Sequence, residues 1–466
     1  MHSFGEPSGA VETEMTDSTG NATAPAQQPN IIFIVADDLG YADLGCYGGR
    51  SAGFGPVSPH IDALAAGGLK FTQGYANSPV CSPTRFALMT LRYQYRLRGA
   101  LEEPINARAR GKPDLGLPVA LPTLPSLLQA AGYSTALIGK WHLGYPPHFG
   151  PLRSGYEHFF GIMAGGVDYF THCAFSGEHD LYEGEEPRQE IGYLTDLISQ
   201  RACQHVRQQA TAARAGKPFF ISLHYTAPHW PWETRDDAAL AATLAGKLQH
   251  LDGGSVATYQ RMIHHMDEGI GQLMAALRDE GLQRDTLVVF TSDNGGERFS
   301  DNWPLVGGKM DLTEGGIRVP WIAHWPARIA AGGVSVQTCM TMDWSTTLLA
   351  AGGGQPDPQY PPDGVSLLPV LLDPQAGFER DLYWRMNHRG QRALRAGDWK
   401  YLRVDGHDYL FNLTADARER ANLAAREPDR LQAMREQWQR WNEGMPPVPA
   451  DATVSPVISP ANMPQR

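Results

Sequence analysis

Residues 30–38 read Asn-Ile-Ile-Phe-Ile-Val-Ala-Asp-Asp, an unbroken apolar run that ends in two acidic residues. Three later segments repeat the pattern of a short apolar run followed by polar residues, at 135–142, 219–229 and 286–296. Near-continuous apolar runs are typical of parallel strands covered on both faces, whereas half-exposed strands alternate apolar and polar residues. The sequence therefore predicts an α/β fold with a large, mostly parallel central sheet.

Helical segments lie between these predicted strands. One spans residues 123–131 and ends before Gly132, and another spans residues 255–279 and ends before Gly281. Strands that alternate with helices indicate an open sheet with helices on both faces. Ligands bind such sheets beyond the carboxyl ends of the strands, so the four polar clusters are predicted to meet at one site.

Composition and sequence pattern divide the chain into four parts. We expect a flexible tail at residues 1–29 and a catalytic domain at 30–375. Residues 376–444 contain short strand-like runs and then a helical pattern from 427 to 441, which predicts a small domain with an antiparallel sheet and one helix. Residues 445–466 are rich in proline and are expected to be extended.

Composition excludes several classes of protein. The chain has 466 residues, 42% of them apolar and 19% charged, with a formal net charge of −11. An acidic protein is not expected to bind nucleic acid over a broad surface, and no apolar run is long enough to span a membrane. No secretory signal is visible, which predicts a cytoplasmic protein, and five widely spaced cysteines give no disulfide framework.

Two pairs of oxygen donors follow predicted buried strands. Asp37-Asp38 follows the first run, and Asp293-Asn294 follows the last. Either pair alone is more often a pair of solvated turn residues. Two such pairs at strand ends favour a site for a hard cation, calcium or magnesium rather than zinc.

A cysteine lies at a predicted helix start in Cys81-Ser82-Pro83-Thr84-Arg85. Pro83 suits the first helical turn, so Cys81 would lie at the helix amino end, where the dipole favours an anion. Arg85 would lie one turn further along the same face. An isolated cysteine of this kind is more often a small buried apolar residue.

This segment resembles the C-x-P-x-R signature of the type I, formylglycine-dependent sulfatases of the alkaline phosphatase superfamily, whose cysteine is oxidised to Cα-formylglycine. Further blocks resemble the family in the same order along the chain: 30–38, Gly-Lys-Trp-His-Leu-Gly at 139–144, Ala-Pro-His at 227–229, Ser-Asp-Asn-Gly-Gly at 292–296 and Glu-Gly-Gly-Ile-Arg-Val-Pro at 314–320. One departure is Thr90-Leu91-Arg92, where the family usually reads Thr-Gly-Arg.

The resemblance implies a role for each matching residue. The metal ligands would be Asp37, Asp38, Asp293, Asn294 and the formylglycine from Cys81. The cation would be calcium, with magnesium or manganese as alternatives. Arg85 would hold the formylglycine, and Lys140 and Lys309 would hold the sulfate oxygens. His142 would lie beside the formylglycine hydroxyls, and His229 would protonate the leaving group. Residues 164–172 resemble a segment that borders the substrate.

The implied function is hydrolysis of aryl, alkyl or sugar sulfate monoesters, with a formylglycine-generating enzyme acting on the unfolded chain as a partner. A phosphonate monoester or phosphodiester hydrolase could use the same site. A non-catalytic anion-binding relative would keep Cys81 as a thiol. The natural substrate and any homo-oligomer are left open by the sequence.

Overall fold

The computed structural model describes residues 28–48, 55–244, 254–373 and 375–455. The predicted tail at 1–29 lies outside these ranges except for residues 28 and 29, and the predicted extended segment at 445–466 is described as far as residue 455. The strands are β1 Asn30–Ala36, β2 Leu69–Phe71, β3 Gly74–Tyr75, β4 Ser134–Lys140, β5 His158–Ile162, β6 Tyr182–Glu183, β7 Glu186–Pro187, β8 Phe219–His224, β9 Thr286–Ser292, β10 Trp321–His324, β11 Gly333–Ser335, β12 Cys339–Met340, β13 Leu382–Arg385, β14 Arg392–Ala396, β15 Trp399–Val404 and β16 His407–Asn412. The helices are α1 Pro59–Ala66, α2 Cys81–Thr90, α3 Leu124–Ala130, α4 Leu194–Arg214, α5 Ala238–Leu244, α6 Val256–Asp279, α7 Glu314–Ile317, α8 Thr341–Ala351, α9 Leu368–Leu372 and α10 Pro428–Glu443.

The main sheet has the order β11-β2-β10-β9-β1-β8-β4-β5-β6-β7 among the described strands. Its centre is parallel: β1 pairs with β8 and β9, and β4 pairs with β8 and β5. The antiparallel strand β10 lies beside β9. The mostly parallel α/β sheet predicted from the apolar runs is therefore confirmed.

Helices pack on this sheet in two groups, α1 with α4 and α6, and α2 with α3 and α8. Every residue of β1, β4, β8 and β9 is buried, which requires cover on both faces of the sheet. The two predicted helices appear as α3 and α6, and each begins after a side-chain cap, Thr123 and Ser255 respectively. None of the described helices has the length and apolar character to cross a membrane.

The small domain is an antiparallel sheet of β13–β16. One face packs against α10, through Leu394, Tyr401 and Leu410 on the sheet and Met434 and Trp438 on the helix. The other face packs on the large domain close to α2, with Trp384 and Phe411 in the same apolar cluster as Val80 and Ala87. The small domain thus supports the amino-terminal end of α2.

Candidate active site

The four polar clusters meet at the carboxyl ends of β1, β4, β8 and β9, as predicted. Ala36 at the end of β1 is in register with Ser292 at the end of β9, so the two acidic pairs lie side by side. The Asp38 backbone N–H donates to Asp293 Oδ1 at 3.3 Å, and Asn294 Nδ2 donates to Asp38 Oδ1 at 2.7 Å. Parallel pairing thereby brings together residues separated by about 255 positions in the chain.

Three cations face these carboxylates. Lys140 Nζ lies 2.5 Å from Asp37 Oδ2. Lys309 Nζ lies 2.7 Å from Asp38 Oδ2. The Arg85 guanidinium donates to Asp293 Oδ2 from Nε at 3.2 Å and from an Nη at 2.9 Å. Although burial opposes ionisation, Lys309, His229 and Lys140 hold the pKa of Asp38 well below its usual value.

Cys81 is the first residue of α2, as predicted, and is buried. Its sulfur lies within 4.8 Å of carboxylate oxygens of Asp37 and Asp293. Burial raises the pKa of the Cys81 thiol, and the neighbouring lysines do not offset this effect. The helix dipole therefore does not produce a thiolate here, and the unmodified thiol is a poor nucleophile because only a thiolate attacks efficiently.

The two predicted histidines have defined tautomers. His142 Nε2 lies 2.7 Å from the Ile105 carbonyl oxygen, which can only accept, so Nε2 carries the proton and Nδ1 carries the lone pair. The buried Nδ1 has no hydrogen-bond partner among the described residues. Burial, together with the charge of Lys140, holds the pKa of His142 well below its usual value. His142 is thus a neutral base.

His229 carries its ring proton on Nδ1, whereas His142 carries its proton on Nε2. The Nδ1 of His229 donates to the Trp230 carbonyl at 2.5 Å, and its Nε2 lies 3.6 Å from Asp38 Oδ2. Burial and the charge of Lys309 lower the pKa of His229 to about 3. An anionic substrate would raise this pKa, because a nearby negative charge favours the protonated imidazole.

Backbone strain is concentrated at the site. Asp38, His142 and Met310 adopt left-handed φ values of 64°, 59° and 76°. Non-glycine residues rarely adopt this conformation, and it persists at functional sites where the surrounding structure holds it in place. Gly165 permits the substrate-bordering segment to pack here, since a Cβ at that position would lie 2.5 Å from the His142 ring.

The oxygen donors suit a divalent cation. Asp37 Oδ1 and Asn294 Oδ1 are buried and accept no hydrogen bond from the described residues. Burial and repulsion from Asp37 raise the pKa of Asp293 to about 7, even with Arg85 beside it. Buried hard oxygens without a hydrogen-bond donor are the ligands that calcium or magnesium prefers in proteins. The predicted ligand residues therefore fit the predicted calcium or magnesium ion.

A pocket of about 620 Å³ opens above these residues and contains Cys81, His142, His229 and Lys309 in its lining. All ten predicted site residues lie at its floor or directly beneath it: Asp37, Asp38, Cys81, Arg85, Lys140, His142, His229, Asp293, Asn294 and Lys309. The structure thus brings the whole predicted set together, while the individual roles stay predictions.

Several pocket residues were not predicted from the sequence. The apolar wall includes Phe175, whose ring lies 4.7 Å from that of Trp230, and the opposite side carries Arg110 and Glu297. Glu297 could have been suspected from its place three residues after Asn294. Phe175 follows the segment at 164–172, of which Ala164, Gly165 and Gly166 do line the pocket, as expected for a segment that borders the substrate.

Leu91, the departure from the family signature, ends α2 in the left-handed conformation with φ 61°. A glycine is the usual residue at such a helix end because it lacks a Cβ. Leu91 is nevertheless buried, and its carbonyl accepts from the backbone of Asp363 and Gly364. The family glycine thus corresponds to a backbone requirement that this chain meets with leucine.

The arrangement defines a hydrolase site for an anionic ester, with cations for the acid group, a neutral base and a second histidine.

Comparison with known proteins supports this interpretation of the site. The family model described as Sulfatase matches residues 29–354. N-acetylgalactosamine-6-sulfatase of Rattus norvegicus is 33% identical over 392 residues, which cover 78% of this chain and 70% of the relative. Arylsulfatase A of Homo sapiens is 33% identical, over 81% of this chain and 75% of that protein.

A solved structure described as Ps i-CgsB in complex with k-i-k-neocarrahexaose is also similar. It has a TM-score of 0.77 and 31% sequence identity, and the match covers 89% of this chain and 93% of that one. The chain belongs to the sulfatase family, within the alkaline phosphatase superfamily, and is a sulfuric ester hydrolase.

Proposed function

We propose that the protein hydrolyses organic sulfate monoesters, aryl, alkyl or sugar sulfates, through a formylglycine made from Cys81 and a divalent cation, most simply calcium. The observation that carries this proposal is the buried Cys81 at the start of α2, beside the carboxylates of Asp37 and Asp293 and the cations that pair with this acidic cluster. The raised pKa of this thiol disfavours its direct use as the nucleophile, which supports conversion of Cys81 to another nucleophile.

The cation would be held by Asp37, Asp38, Asp293 and Asn294 together with the modified residue 81. When bound, it would lower the pKa of a hydroxyl and balance the charge on sulfur-bound oxygens. The hydrated aldehyde supplies two hydroxyls, one to attack sulfur and one whose deprotonation releases sulfate and restores the aldehyde. A serine would lack the second hydroxyl.

The chain's own residues perform the remaining steps. Lys140 and Lys309 are placed to bind the sulfuryl oxygens and to stabilise the charge that they carry in the transition state. Arg85 orients residue 81 from one helical turn away. His229, protonated in the presence of the anionic ester, donates its proton from Nε2 to the leaving oxygen. His142 accepts a proton at Nδ1 in the release step.

The pocket suits a substrate larger than the sulfate group. Its volume of about 620 Å³ accommodates a drug-sized ligand or a small saccharide. Phe175 and Trp230 form an aromatic wall next to His229, on the leaving-group side. Aromatic faces bind apolar ring surfaces, so aryl and sugar sulfates are the proposed substrate classes. The names of the relatives, which include a sugar sulfatase and an arylsulfatase, point the same way.

The test compares the oxidation state of residue 81 with turnover. Protein made with different levels of a formylglycine-generating enzyme should show specific activity on an aryl sulfate in proportion to the converted fraction, measured by tryptic-peptide mass. Cys81→Ala should lower the specific activity by more than about 10⁴-fold. It should still bind calcium through the four other ligands. Cys81→Ser should transfer one sulfuryl group and then stall.

Two outcomes would count against the proposal. Equal turnover by unconverted protein would exclude the formylglycine and require another nucleophile. A higher kcat/KM on an aryl phosphonate than on the matching aryl sulfate would assign the site to phosphonate hydrolysis instead.

A further inference from the structure

The segment after the small domain returns to the active site. Residues 451–455, here called the strap, run beside residues 102–106, here called the bridging segment. The Glu103 backbone N–H donates to the Thr453 carbonyl at 3.0 Å, and the Ser455 N–H donates to the Glu103 carbonyl at 2.9 Å. These bonds form a parallel bridge between Glu103 and Val454.

Side chains reinforce this contact. The Thr453 N–H donates to Glu102 Oε2 at 3.0 Å, and the Thr453 hydroxyl donates to the same oxygen. Asn106 Nδ2 donates to Ser455 Oγ at 3.1 Å. Glu102 is buried, so its bonds to Thr453 are shielded from water and cannot be replaced without a cost in free energy.

The bridging segment contacts the reacting groups from its other side. The Ile105 carbonyl accepts from His142 Nε2 at 2.7 Å, and this bond leaves the lone pair on Nδ1. The Ile105 N–H donates to Ser82 Oγ at 2.9 Å, next to Cys81. One residue thus orients the neutral histidine and contacts the helix start that carries the nucleophile.

The rest of the bridging segment is tied to the small domain. The Glu103 carboxylate accepts from the backbone N–H groups of Asn387 and His388 at 2.7 and 2.9 Å. The strap is the coil side of this arrangement, and its residues Ala452 and Val454 pack against the apolar cluster that contains Cys81 and Leu101. Asp451 forms an exposed ion pair with Arg98, which adds little.

We propose that the strap is a positioning element for His142. It holds the bridging segment so that the Ile105 carbonyl fixes His142 with Nδ1 available as the base. This inference rests on the proposed function. In the release step His142 Nδ1 takes the proton of the second hydroxyl of residue 81, and the O–H electron pair becomes the carbonyl bond. The carbon–oxygen bond to sulfate then breaks with its electron pair on the departing sulfate.

The experiment compares two shortened proteins, one that ends at residue 455 and one that ends at residue 450. An activated aryl sulfate is the substrate, because its first step is fast. Ending at residue 450 should lower kcat by about 10–100-fold and lower KM in parallel, so that kcat/KM changes little. The released phenol should show a pre-steady-state burst. Ending at residue 455 retains the strap and should match the full chain.

A second readout does not depend on turnover. In the Cys81→Ala background, amide hydrogen exchange of residues 102–106 should accelerate when the chain ends at 450 and not when it ends at 455. Thr453→Val removes only the hydroxyl bond to Glu102 and should lower kcat by about 3-fold. The exposed Thr414→Val is its matched control, and this pair carries the test if the shorter protein does not fold.

The possible results separate the strap from the proposed function. An unchanged kcat in the protein ending at 450, or a raised KM with kcat unchanged, would overturn the role of the strap. Unchanged exchange of residues 102–106 would overturn it as well. Failure of the converted full-length chain to hydrolyse any sulfate ester would overturn the proposed function itself.

Discussion

Two buried clusters of charge in this molecule each pair carboxylates with basic side chains. The first is the active-site cluster of Asp37, Asp38, Asp293, Arg85, Lys140 and Lys309. The second, here called the interface cluster, joins the large and small domains through Glu314 and Glu419, which both lie 2.9 Å from Lys400 Nζ.

The clusters differ in how completely their oxygens are paired. In the interface cluster, Glu314 Oε2 accepts from the Tyr75 hydroxyl at 2.7 Å, and Glu419 Oε2 accepts from the Glu314 N–H at 2.6 Å. Every carboxylate oxygen of that pair therefore lies within 2.9 Å of a donor atom, although Glu419 Oε1 contacts Lys400 as an ion pair without hydrogen-bond geometry. In the active-site cluster, Asp37 Oδ1 accepts no hydrogen bond from the described residues, and an Nη of Arg85 lies 3.8 Å from it.

The pKa values do not divide the clusters in this way, since each contains one carboxyl with a lowered pKa (Asp38 or Glu314) and one with a raised pKa (Asp293 or Glu419). Burial alone would raise the pKa of Glu314, yet Lys400, Arg318 and Arg395 lower it to about 2. Burial and Asp37 instead raise the pKa of Asp293 to about 7. A buried ion cluster whose groups are closely paired is a structural element, whereas one with unpartnered hard oxygens suits a divalent cation.

The largest expected effect comes from changing the unpaired cluster. Asp38→Asn removes one charge while keeping a residue type that tolerates a φ of 64°. It should abolish calcium binding in calorimetry and reduce activity to background, and it should also lower the free energy of unfolding because it neutralises the buried partner of Lys309. Exposed Asp405→Asn is the control. Full activity in Asp38→Asn, or in chelated protein, would show that no cation is needed.

Removing the central cation of the interface cluster should instead spare the activity. Lys400→Met leaves Glu314 and Glu419 buried without their shared partner, so we expect the free energy of unfolding to fall by about 3–5 kcal/mol. The kcat/KM of the folded fraction should stay near that of the unaltered protein. Urea denaturation checks this, with exposed Lys217→Met as control. A loss of activity without a loss of stability would remove the distinction between the two clusters.

His229 tests whether the active-site cluster acts on the leaving group. His229→Ala should slow sulfates with poor leaving groups, such as alkyl or sugar sulfates, by about 10²–10⁴-fold. Activated aryl sulfates should be slowed far less, since their phenolates leave without a proton. Exposed His158→Ala should have no effect. Equal losses across a leaving-group series would limit His229 to binding the substrate.

The active-site cluster could be predicted from the sequence because each of its parts lies next to a recognisable element. Asp37 and Asp293 follow apolar runs, and parallel strands bring their carboxyl ends to one edge of the sheet. Cys81 precedes a proline that suits a first helical turn. The roles of these residues came from the resemblance to the family and not from the pattern.

The interface cluster and the strap could not be predicted in this way. Lys400 reaches Glu314 across 86 positions, and Thr453 reaches Glu102 across 351. Neither partner belongs to a periodic pattern, and coil segments carry no local signal of what they contact. The tautomer of His142 could not be predicted either, because it depends on the carbonyl of Ile105, which lies in a segment without regular structure.

The smallest expected effect concerns Leu91, which ends α2, the helix that carries Arg85 of the active-site cluster. Leu91→Gly loses a buried side chain, worth about 2–3 kcal/mol, but relieves a left-handed backbone that costs about 1 kcal/mol, so the net loss should be about 1–2 kcal/mol.

Leu91→Ala separates these two contributions, since it loses most of the side chain and keeps the strain. Leu91→Gly should therefore be about 1 kcal/mol more stable than Leu91→Ala in urea denaturation. Under the proposed function the modifying enzyme would act on the unfolded chain, so Leu91→Gly should also raise the converted fraction of Cys81, measured by peptide mass, while Leu91→Ala should not. Equal stability of the two variants would mean that the leucine backbone is unstrained. Equal conversion would mean that the glycine of the family serves the folded helix end alone, and that the departure at this position does not affect the nucleophile.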